Sequence, residues 1–227
     1  MIDLRGILSM DKKIKDAEQW YDTNKGLYEH FSKEMESVIT KIIEAENLPY
    51  QSVSSRVKEK ESYLNKCKKE KYTNPIDEIT DVSGIRIIAY TNQDVERICE
   101  VLQREFLIDQ EHSINKSESL MTDKVGYRSV HYVLQLSERR AKLPEYSSLK
   151  DLKCEVQVRT LLQHAWAEIE HDRNYKFSGI LPDEIKRRFH LVAGVLELME
   201  TNLIICLKIL TSTQEIRKRQ YLKVIMI

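Results

Sequence analysis

Two acidic residues stand beside predicted β-strands in the middle of the chain. Asp81 precedes the apolar run at 84–90, and Glu155 shares one face of a predicted strand with Gln157 and Arg159. Taken singly, Asp81 can cap a turn, and a polar strand face can lie in water. As a pair, Asp81 and Glu155 would complete a two-carboxylate Mg²⁺ site, because hard cations prefer carboxylate oxygens. Such a site suits phosphoryl-type transfer, in which the ion bridges phosphates and neutralises developing charge.

Positively charged side chains are concentrated around this pair. A helix predicted over 53–71 would place several of them, together with Ser62, near one face. Such a face can neutralise a triphosphate, and arginine guanidinium planes can stack on a base. The alternative interpretation is a lysine-rich helix that faces solvent. The cationic candidates are Arg56, Lys58, Lys66, Lys69, Arg86 and Arg128.

An aromatic residue, Tyr127, stands at the start of another predicted strand, in the stretch DKVGYRSVHYVL at 123–134. It can be a core aromatic that follows a turn, or a flat surface on which the base of a ligand stacks. The residue alone favours the first interpretation. Its position between the two candidate carboxylates in the sequence favours the second.

A second candidate metal motif lies in HAWAEIEHD at 164–172. His164 and Glu168 are one helical turn apart, and His171-Asp172 is the doublet of HD-type metal phosphohydrolases. Such hydrolases use more His and Asp ligands on an all-helical frame, whereas strands dominate the middle of this chain. The motif therefore favours core packing of Trp166 and Ile169, with the histidines as hydrogen-bonded partners.

The pattern of apolar residues predicts helices at both ends of the chain and a small mixed β-sheet between them, an α/β (α+β) fold. Residues 107–124 are polar and irregular and are interpreted as a loop. The predicted helices are 11–46, 53–71, 93–106, 160–172 and 183–210, and the predicted strands are 84–90, 129–136 and 152–158. The expected parts are an N-terminal helical extension (1–48), a core (49–180) and a C-terminal helical extension (181–227).

Composition and termini predict a soluble, cytoplasmic protein. Lys+Arg and Asp+Glu are equal at 36 each, which does not exclude nucleotide binding, because a local basic patch can coexist with acidic helices. The four cysteines show no CxxC or CxxH spacing, so neither a structural zinc site nor a secreted disulfide framework is expected. No signal peptide is recognised, and the apolar stretch at 203–210, interrupted by Lys208, is far below the ~20 residues that span a bilayer. No membrane association is expected.

Several segments, taken in order, resemble the synthetase domain of the RelA/SpoT family over about residues 50–176. SRVKEKES looks like the family's basic helix, DVSGIRI like its metal-and-adenine segment and GYRSVH like its acceptor loop. EVQVRT and HAWAEIEHDRNYK complete the set. These segments occupy 55–62, 81–87, 126–131, 155–160 and 164–176. The size of the chain implies a stand-alone small synthetase without a hydrolase or regulatory domain.

The resemblance implies that pyrophosphate moves from ATP to a nucleotide 3′-hydroxyl and that AMP leaves. Asp81 would hold Mg²⁺, and Glu155 would help to bind the metal or act as the general base. The implied ATP-binding residues are Arg56 and Arg86 around adenine, and Lys58, Ser62, Lys66 and Lys69 at the phosphates. The implied acceptor-binding residues are Tyr127, which stacks on the base, and Arg128, His131, Gln157 and Arg159 around it.

One stretch departs from the family's guanosine-nucleotide synthetases. These usually carry an Asp-Tyr and a Pro-Lys before an Asn-Gly-Tyr, whereas this chain reads SESLMTDKVGYRS, with Val125 in place of the Asn. In this respect the chain is more similar to the toxic small alarmone synthetases, which pyrophosphorylate the 3′ CCA end of tRNA and are restrained by an antitoxin. We therefore expect tRNA as the acceptor and an antitoxin protein as a partner. The alternative acceptor is GDP or GTP, which would yield the alarmone (p)ppGpp.

Two other functions are compatible with parts of the sequence. The chain could be a non-catalytic nucleotide or RNA sensor, although a pure binder has less need of the paired Asp81 and Glu155. It could also be a metal phosphohydrolase that uses His171 and Asp172. The apolar and basic segment at 201–227 could cover the core, pair with a second subunit in a homo-oligomer or dock an antitoxin.

Overall fold

A mixed β-sheet forms the centre of the molecule in the computed structural model, which describes residues 4–115, 129–176 and 182–225. The strands are β1 (Ser52–Val57), β2 (Ser83–Ala89), β3 (Phe106–Ile108), β4 (Ile114–Asn115), β5 (Val130–Leu136) and β6 (Cys154–Thr160). They lie in the order β1-β2-β6-β5-β3, and β4 also pairs with β5. β2 and β6 are parallel, whereas the other neighbours are antiparallel. The predicted small mixed sheet is confirmed.

Helices precede, separate and follow the strands along the chain. They are α1 (Leu4–Ala45), α2 (Lys60–Cys67), α3 (Pro75–Glu78), α4 (Asn92–Glu105), α5 (Glu138–Ala141), α6 (Leu161–Lys176) and α7 (Asp183–Ile225), with a 3₁₀ helix at Pro144–Leu149. The helices predicted at 11–46, 93–106, 160–172 and 183–210 are therefore confirmed as α1, α4, α6 and α7. The division into extensions and a core stays a prediction.

One face of the sheet packs against α1 and α4. Along β2, Ile85 and Ile87 point towards these helices and are almost fully buried, whereas Arg86 points to the opposite face. The buried partners are Phe31, Met35, Ile39 and Ile43 of α1, and Ile98 and Leu102 of α4. Burial of this apolar face fixes the sheet and leaves its other face for polar side chains.

The helix predicted over 53–71 is wrong in its first part, because that part forms strand β1. Val53 and Val57 fall on the more buried face of the strand, whereas Arg56 is exposed on the other. β-branched valines and serines are weak helix formers, and the edge of β2 provides a pairing partner. Helix α2 begins only at Lys60. Arg56 therefore projects from a strand and does not share a helix face with the lysines.

The stretch predicted as a loop, 107–124, contains most of β3 and all of β4. Both are short strands that pair with β5, and segments of two or three residues carry too little periodicity to be recognised. Residues 116–128 lie outside the described part of the chain. The predicted acceptor-binding residues Tyr127 and Arg128 are among them.

Helix α7 is attached to the body of the protein by a buried carboxylate and an aromatic pair. Glu200 is buried and accepts hydrogen bonds from Thr160 at the end of β6, from Asn92 at 2.9 Å and from Gln163. On the neighbouring helix, the Trp166 ring meets Phe189 edge to face, with centroids 5.4 Å apart. These contacts connect α7 to the strand that carries Glu155 and Gln157.

Most apolar side chains of α7 remain exposed. They include Leu191, Val195, Leu198, Ile205 and Ile209. The segment Asp183–Gln214 has a stretch of mean hydropathy 1.5, long and apolar enough to cross a membrane by length and composition alone, of which 6% is buried. Length and composition do not by themselves establish a membrane span. The expected contacts with a second subunit or an antitoxin, and the expected absence of membrane association, stay predictions.

We expect Glu200→Ala to destabilise the fold by about 2–3 kcal/mol, because it removes the acceptor of the buried Thr160 hydroxyl and of the part-buried Asn92 amide. Chemical denaturation measures this loss. Glu184→Ala is the matched control, because Glu184 lies on the same helix but is 75% exposed in an ion pair with Arg188. Equal effects of the two substitutions would show that the Glu200 contacts do not hold α7.

Candidate active site

The polar face of the sheet is built by the register of three neighbouring strands. β2 and β6 run parallel and place Gly84 beside Glu155 and Arg86 beside Gln157. On the other side of β2, the antiparallel strand β1 places Arg56 beside Gly84. Because side chains alternate along a strand, these residues all project from the face opposite the core. The fold thus brings the charged side chains of three separate segments together.

A small cleft of about 120 Å³ lies over this face, below the ~300–1,000 Å³ that is common for pockets that enclose a drug-sized ligand. Charged and hydroxyl side chains form most of its wall. The lining residues are Ser54, Ser55, Arg56, Lys58, Asp81, Gly84, Ile85, Arg86, Glu155 and Gln157. A cleft with this wall is suited to an anionic, polar ligand.

Asp81 is held between two lysines in this cleft. Its Oδ2 accepts a hydrogen bond from Nζ of Lys66 at 2.7 Å and lies 3.1 Å from Nζ of Lys58. Burial raises the pKa of the Asp81 carboxyl, but the two ammonium groups outweigh burial, so the pKa lies below its ordinary value. The other oxygen, Oδ1, is buried and has no hydrogen-bond partner among the described residues. A bound cation would satisfy that oxygen, whose burial is otherwise costly.

A small apolar cluster places α2 and its lysine beside Asp81. Tyr63 and Cys67 of α2 are fully buried and pack with Ile79 and Val82, which flank Asp81 in the sequence. Because side chains at i and i+3 lie on neighbouring positions of a helix, burial of Tyr63 brings Lys66 to the edge of the cluster. The position of the Asp81 carboxylate is therefore set by apolar packing on both sides.

Glu155 is held by a histidine from the neighbouring strand. Its Oε1 lies 2.7 Å from Nδ1 of His131. Burial raises the pKa of the Glu155 carboxyl, but hydrogen bonding and electrostatic attraction from His131 outweigh it, so the pKa lies below its ordinary value. The charge of Asp81 acts on Glu155 in the opposite direction. The two carboxylates are thus near enough to interact, and both are ionised at neutral pH.

The two carboxylates fit Mg²⁺ better than a transition metal. Within the described ranges, no group of three or more His, Cys, Asp or Glu side chains is placed to hold a metal ion. Mg²⁺ is commonly bound by one or two carboxylates, waters and substrate phosphates. The unpartnered Oδ1 of Asp81 supplies the kind of ligand atom that this ion prefers.

The predicted metal motif HAWAEIEHD lies on α6, and its Glu168 forms an ion pair with Arg86 of β2. Oε1 of Glu168 lies 3.3 Å from a guanidinium nitrogen of Arg86 and 3.7 Å from Nδ1 of His164. Burial and the nearby Arg86 and Arg159 lower the pKa of His164.

The predicted burial of Trp166 is confirmed, whereas the prediction for Ile169 is wrong, because it is 52% exposed. The prediction of hydrogen-bonded histidines is also wrong for Nδ1 of His164, which is buried without a hydrogen-bond partner among the described residues. The structure does not describe the side chains of the predicted hydrolase doublet at 171–172.

The structure brings most of the predicted site residues together and separates two of them. Ser62 and Lys69 are exposed and do not line the cleft. Lys66 does not line the cleft but donates a hydrogen bond to Asp81, which does. Arg159 is buried and donates a hydrogen bond to Gln157. The predicted residues that line the cleft are Arg56, Lys58, Asp81, Arg86, Glu155 and Gln157.

Several residues of the site were not among the predicted ones. Ser54 and Ser55 line the cleft from β1. Alternation with Val53 could have predicted this for Ser54 if the segment had been recognised as a strand, whereas Ser55 lies on the face of the valines and bonds to Glu36 of α1. Gly84 lies under Arg56, since a Cβ on Gly84 would stand 3.7 Å from Cγ of that arginine. Ser129 forms a hydrogen bond with Nε2 of His131, the histidine that also bonds to Glu155. No local sequence pattern predicts this contact.

Known proteins are similar to this chain in sequence and in fold. Residues 55–180 match the family described as "Region found in RelA / SpoT proteins". The chain is 32% identical over 149 residues to GTP pyrophosphokinase YjbM of Bacillus subtilis (strain 168), a match that covers 64% of this chain and 66% of that protein, just under two thirds of its length.

Solved structures show the same arrangement of sheet and helices. The small alarmone synthetase 1 from Bacillus subtilis bound to its product pppGpp is 25% identical and has a TM-score of 0.67, covering 82% of this chain and 94% of that chain. The same synthetase bound to AMPCPP is 25% identical, with a TM-score of 0.63 and coverage of 87% and 99%. The mixed sheet and its flanking helices therefore match the fold of these synthetase structures.

Proposed function

This chain belongs to the RelA/SpoT family, and on that premise we propose that it moves pyrophosphate from ATP to the 3′-hydroxyl of GDP or GTP. The observation that carries the proposal is the cleft in which Asp81 and Glu155 stand beside Arg56, Lys58 and Arg86. Two ionised carboxylates among cations suit a polyphosphate with its counter-ion, because such a ligand needs both negative ligand atoms and positive partners.

The donor nucleotide occupies the part of the cleft beside β1 and β2. Arg56 and Arg86 lie on the same sheet face of neighbouring strands, so their guanidinium planes stack on the adenine ring. Lys58 and Lys66 lie beside Asp81 and bind the phosphates. The structures of a related synthetase with AMPCPP support ATP as the donor.

The reaction that we propose is a single in-line displacement. The oxygen of the acceptor 3′-hydroxyl attacks the β-phosphorus of ATP, and the bond from that phosphorus to the α–β bridging oxygen breaks. AMP leaves with the bridging oxygen and its electron pair, and Glu155 takes the proton of the hydroxyl. Lys58 and Lys66 stabilise the charge that develops on the phosphates, and the cleft keeps the reactants in line.

Mg²⁺ is the cofactor that the donor set supports. Asp81 would be its principal ligand, and when bound it supplies charge neutralisation to the phosphates of ATP. Lys66 and Lys58 keep Asp81 ionised, because they lower the pKa of its carboxyl against the effect of burial. His131 does the same for Glu155.

GDP or GTP is the acceptor supported by the comparisons. The related YjbM is named a GTP pyrophosphokinase, and the similar small alarmone synthetase 1 binds its product pppGpp. A specific sequence observation favours a second candidate, the 3′ end of tRNA, which would make the protein a toxin restrained by an antitoxin. That observation is Val125 in place of the Asn, together with the missing Asp-Tyr and Pro-Lys pairs. The part of the chain that the structure describes does not include this stretch.

Separate reactions of ATP with GDP, GTP and deacylated tRNA test the proposal. We expect label from [γ-³²P]ATP to enter GDP and GTP in the presence of Mg²⁺, and label from [α-³²P]ATP to appear only in AMP. tRNA labelled at a rate comparable to that of GTP would select the second candidate.

Other outcomes would point to the two remaining interpretations. Binding of nucleotide without transfer to any acceptor would indicate a sensor. Mn²⁺-dependent release of pyrophosphate from a 3′-pyrophosphorylated nucleotide would indicate a hydrolase. Either result would overturn the proposed transfer reaction.

A further inference from the structure

A chain of two hydrogen bonds leads from the start of β5 to the carboxylate of Glu155. Oγ of Ser129 lies 2.8 Å from Nε2 of His131, and Nδ1 of the same ring lies 2.7 Å from Oε1 of Glu155. Ser129 is buried, and the side chains of His131 and Glu155 are only 22% and 23% exposed. Both ring nitrogens are thus engaged within the protein.

We propose that Ser129 and His131 are positioning residues for the pyrophosphate transfer: they fix the orientation of the Glu155 carboxylate. This inference rests on the proposed function. The family resemblance alone places His131 at the acceptor, but a ring whose two nitrogens are bonded to Ser129 and Glu155 has no free nitrogen for a ligand. The hydrogen bonds therefore assign His131 to the carboxylate.

The strand register makes this contact possible. His131 lies opposite Gln157 on the neighbouring strand, and Glu155 lies opposite Val133. His131 and Glu155 are therefore diagonal neighbours on one sheet face, a separation that an aromatic ring and a long side chain can bridge. With Oε1 held by His131, rotation of the carboxylate in the wall of the cleft is restricted.

The geometry also assigns a tautomer to His131. An ionised carboxylate only accepts hydrogen bonds, so Nδ1 of the ring carries the hydrogen that Glu155 receives. In the neutral ring, Nε2 then accepts a hydrogen bond from the hydroxyl of Ser129. Orientation of a functional group by such a supporting bond commonly contributes ~10–100-fold to activity.

Two amide substitutions separate positioning from acceptor binding. The amide nitrogen of His131→Asn can take the place of Nδ1 and keep the bond to Glu155, whereas the longer His131→Gln reaches towards Nε2 and loses that bond. We expect kcat to fall ~10–100-fold for His131→Gln and His131→Ala but ~10-fold or less for His131→Asn. The KM for the acceptor should stay within about twofold in all of them, because none of them removes a contact with the acceptor.

The reverse pattern would overturn the inference. If His131 binds the acceptor, the KM for GTP rises in every variant with little change in kcat, and His131→Gln is at least as active as His131→Asn. His112→Asn is the matched control, because His112 makes a similar bond to a carboxylate, Asp109, at 2.9 Å and does not line the cleft. Ser129→Ala should show a smaller fall in kcat than His131→Ala, in the same direction.

A second measurement needs neither metal nor substrate. We expect long-range ¹H–¹⁵N spectra of the ¹⁵N-histidine-labelled, metal-free protein to show His131 as the Nδ1–H tautomer, and Glu155→Ala to remove this signature. A neutral ring protonated at Nε2 alone, or a signal insensitive to Glu155, would contradict the inference. Failure of the proposed transfer activity would leave this spectrum unchanged, so the two failures are distinguishable.

Discussion

Replacing Asp81 with asparagine is expected to lower Mg²⁺-dependent pyrophosphate transfer by about 10³-fold, or about 4 kcal/mol of transition-state stabilisation. The carboxylate has two separate functions in the cleft. Oδ2 is bonded to Lys66 and lies close to Lys58, whereas the buried Oδ1 lacks a partner among the described residues. An amide keeps the size of the side chain but loses the charge, so it weakens metal binding and leaves two ammonium groups facing each other. Initial rates at several Mg²⁺ concentrations measure the effect.

A second aspartate provides the matched control for this substitution. Asp109 also accepts a hydrogen bond from a lysine, Lys153 at 2.7 Å, and its pKa is lowered to about 2. It does not line the cleft. Asp109→Asn should therefore cost stability but leave the rate per folded molecule unchanged. Full transfer activity of a folded Asp81→Asn protein would contradict the proposed metal site.

The polar face of the site could be predicted from sequence where side chains alternate strictly. In β6, the buried Cys154 and Val156 alternate with Glu155 and Gln157, so the side on which the polar residues project follows from the period of a strand. Alternation likewise places Arg86 of β2 on the face opposite the buried Ile85 and Ile87. Alternation is a local property of the chain, and a single sequence is sufficient to show it.

Contacts that depend on pairing between segments could not be predicted in this way. Strand β1 has only two valines among its six residues, and its identity as a strand is decided by the edge of β2 against which it lies. Lys66 meets Asp81 only because Tyr63 and Cys67 pack beneath it. The bond from His131 to Glu155 requires the register of β5 on β6. Each of these contacts is a product of tertiary packing and has no local sequence pattern.

Glu155→Gln is expected to lower the rate of transfer by about 10³-fold, within the ~10²–10⁴-fold range usual for a general base. Glu155 lies on the side of the cleft next to β5, bonded to His131, whereas Asp81 lies on the side of Lys58 and Lys66. This separation favours Glu155 as the group that takes the proton of the acceptor and Asp81 as the principal metal ligand. The Kd of a non-hydrolysable ATP analogue with Mg²⁺ should therefore change by no more than about threefold in Glu155→Gln but rise markedly in Asp81→Asn.

The comparison of rate with binding decides between the two roles of Glu155. If its main role were to hold the metal, the affinity for the Mg²⁺–analogue complex would fall in parallel with the rate, as in Asp81→Asn. Glu105→Gln is the control, because Glu105 also has a pKa lowered by an arginine, Arg140 at 2.8 Å, but lies outside the cleft. A loss of rate without a loss of affinity, absent from Glu105→Gln, requires a group that acts only in the transition state. A carboxylate that His131 orients on the side of the cleft next to β5 meets that requirement.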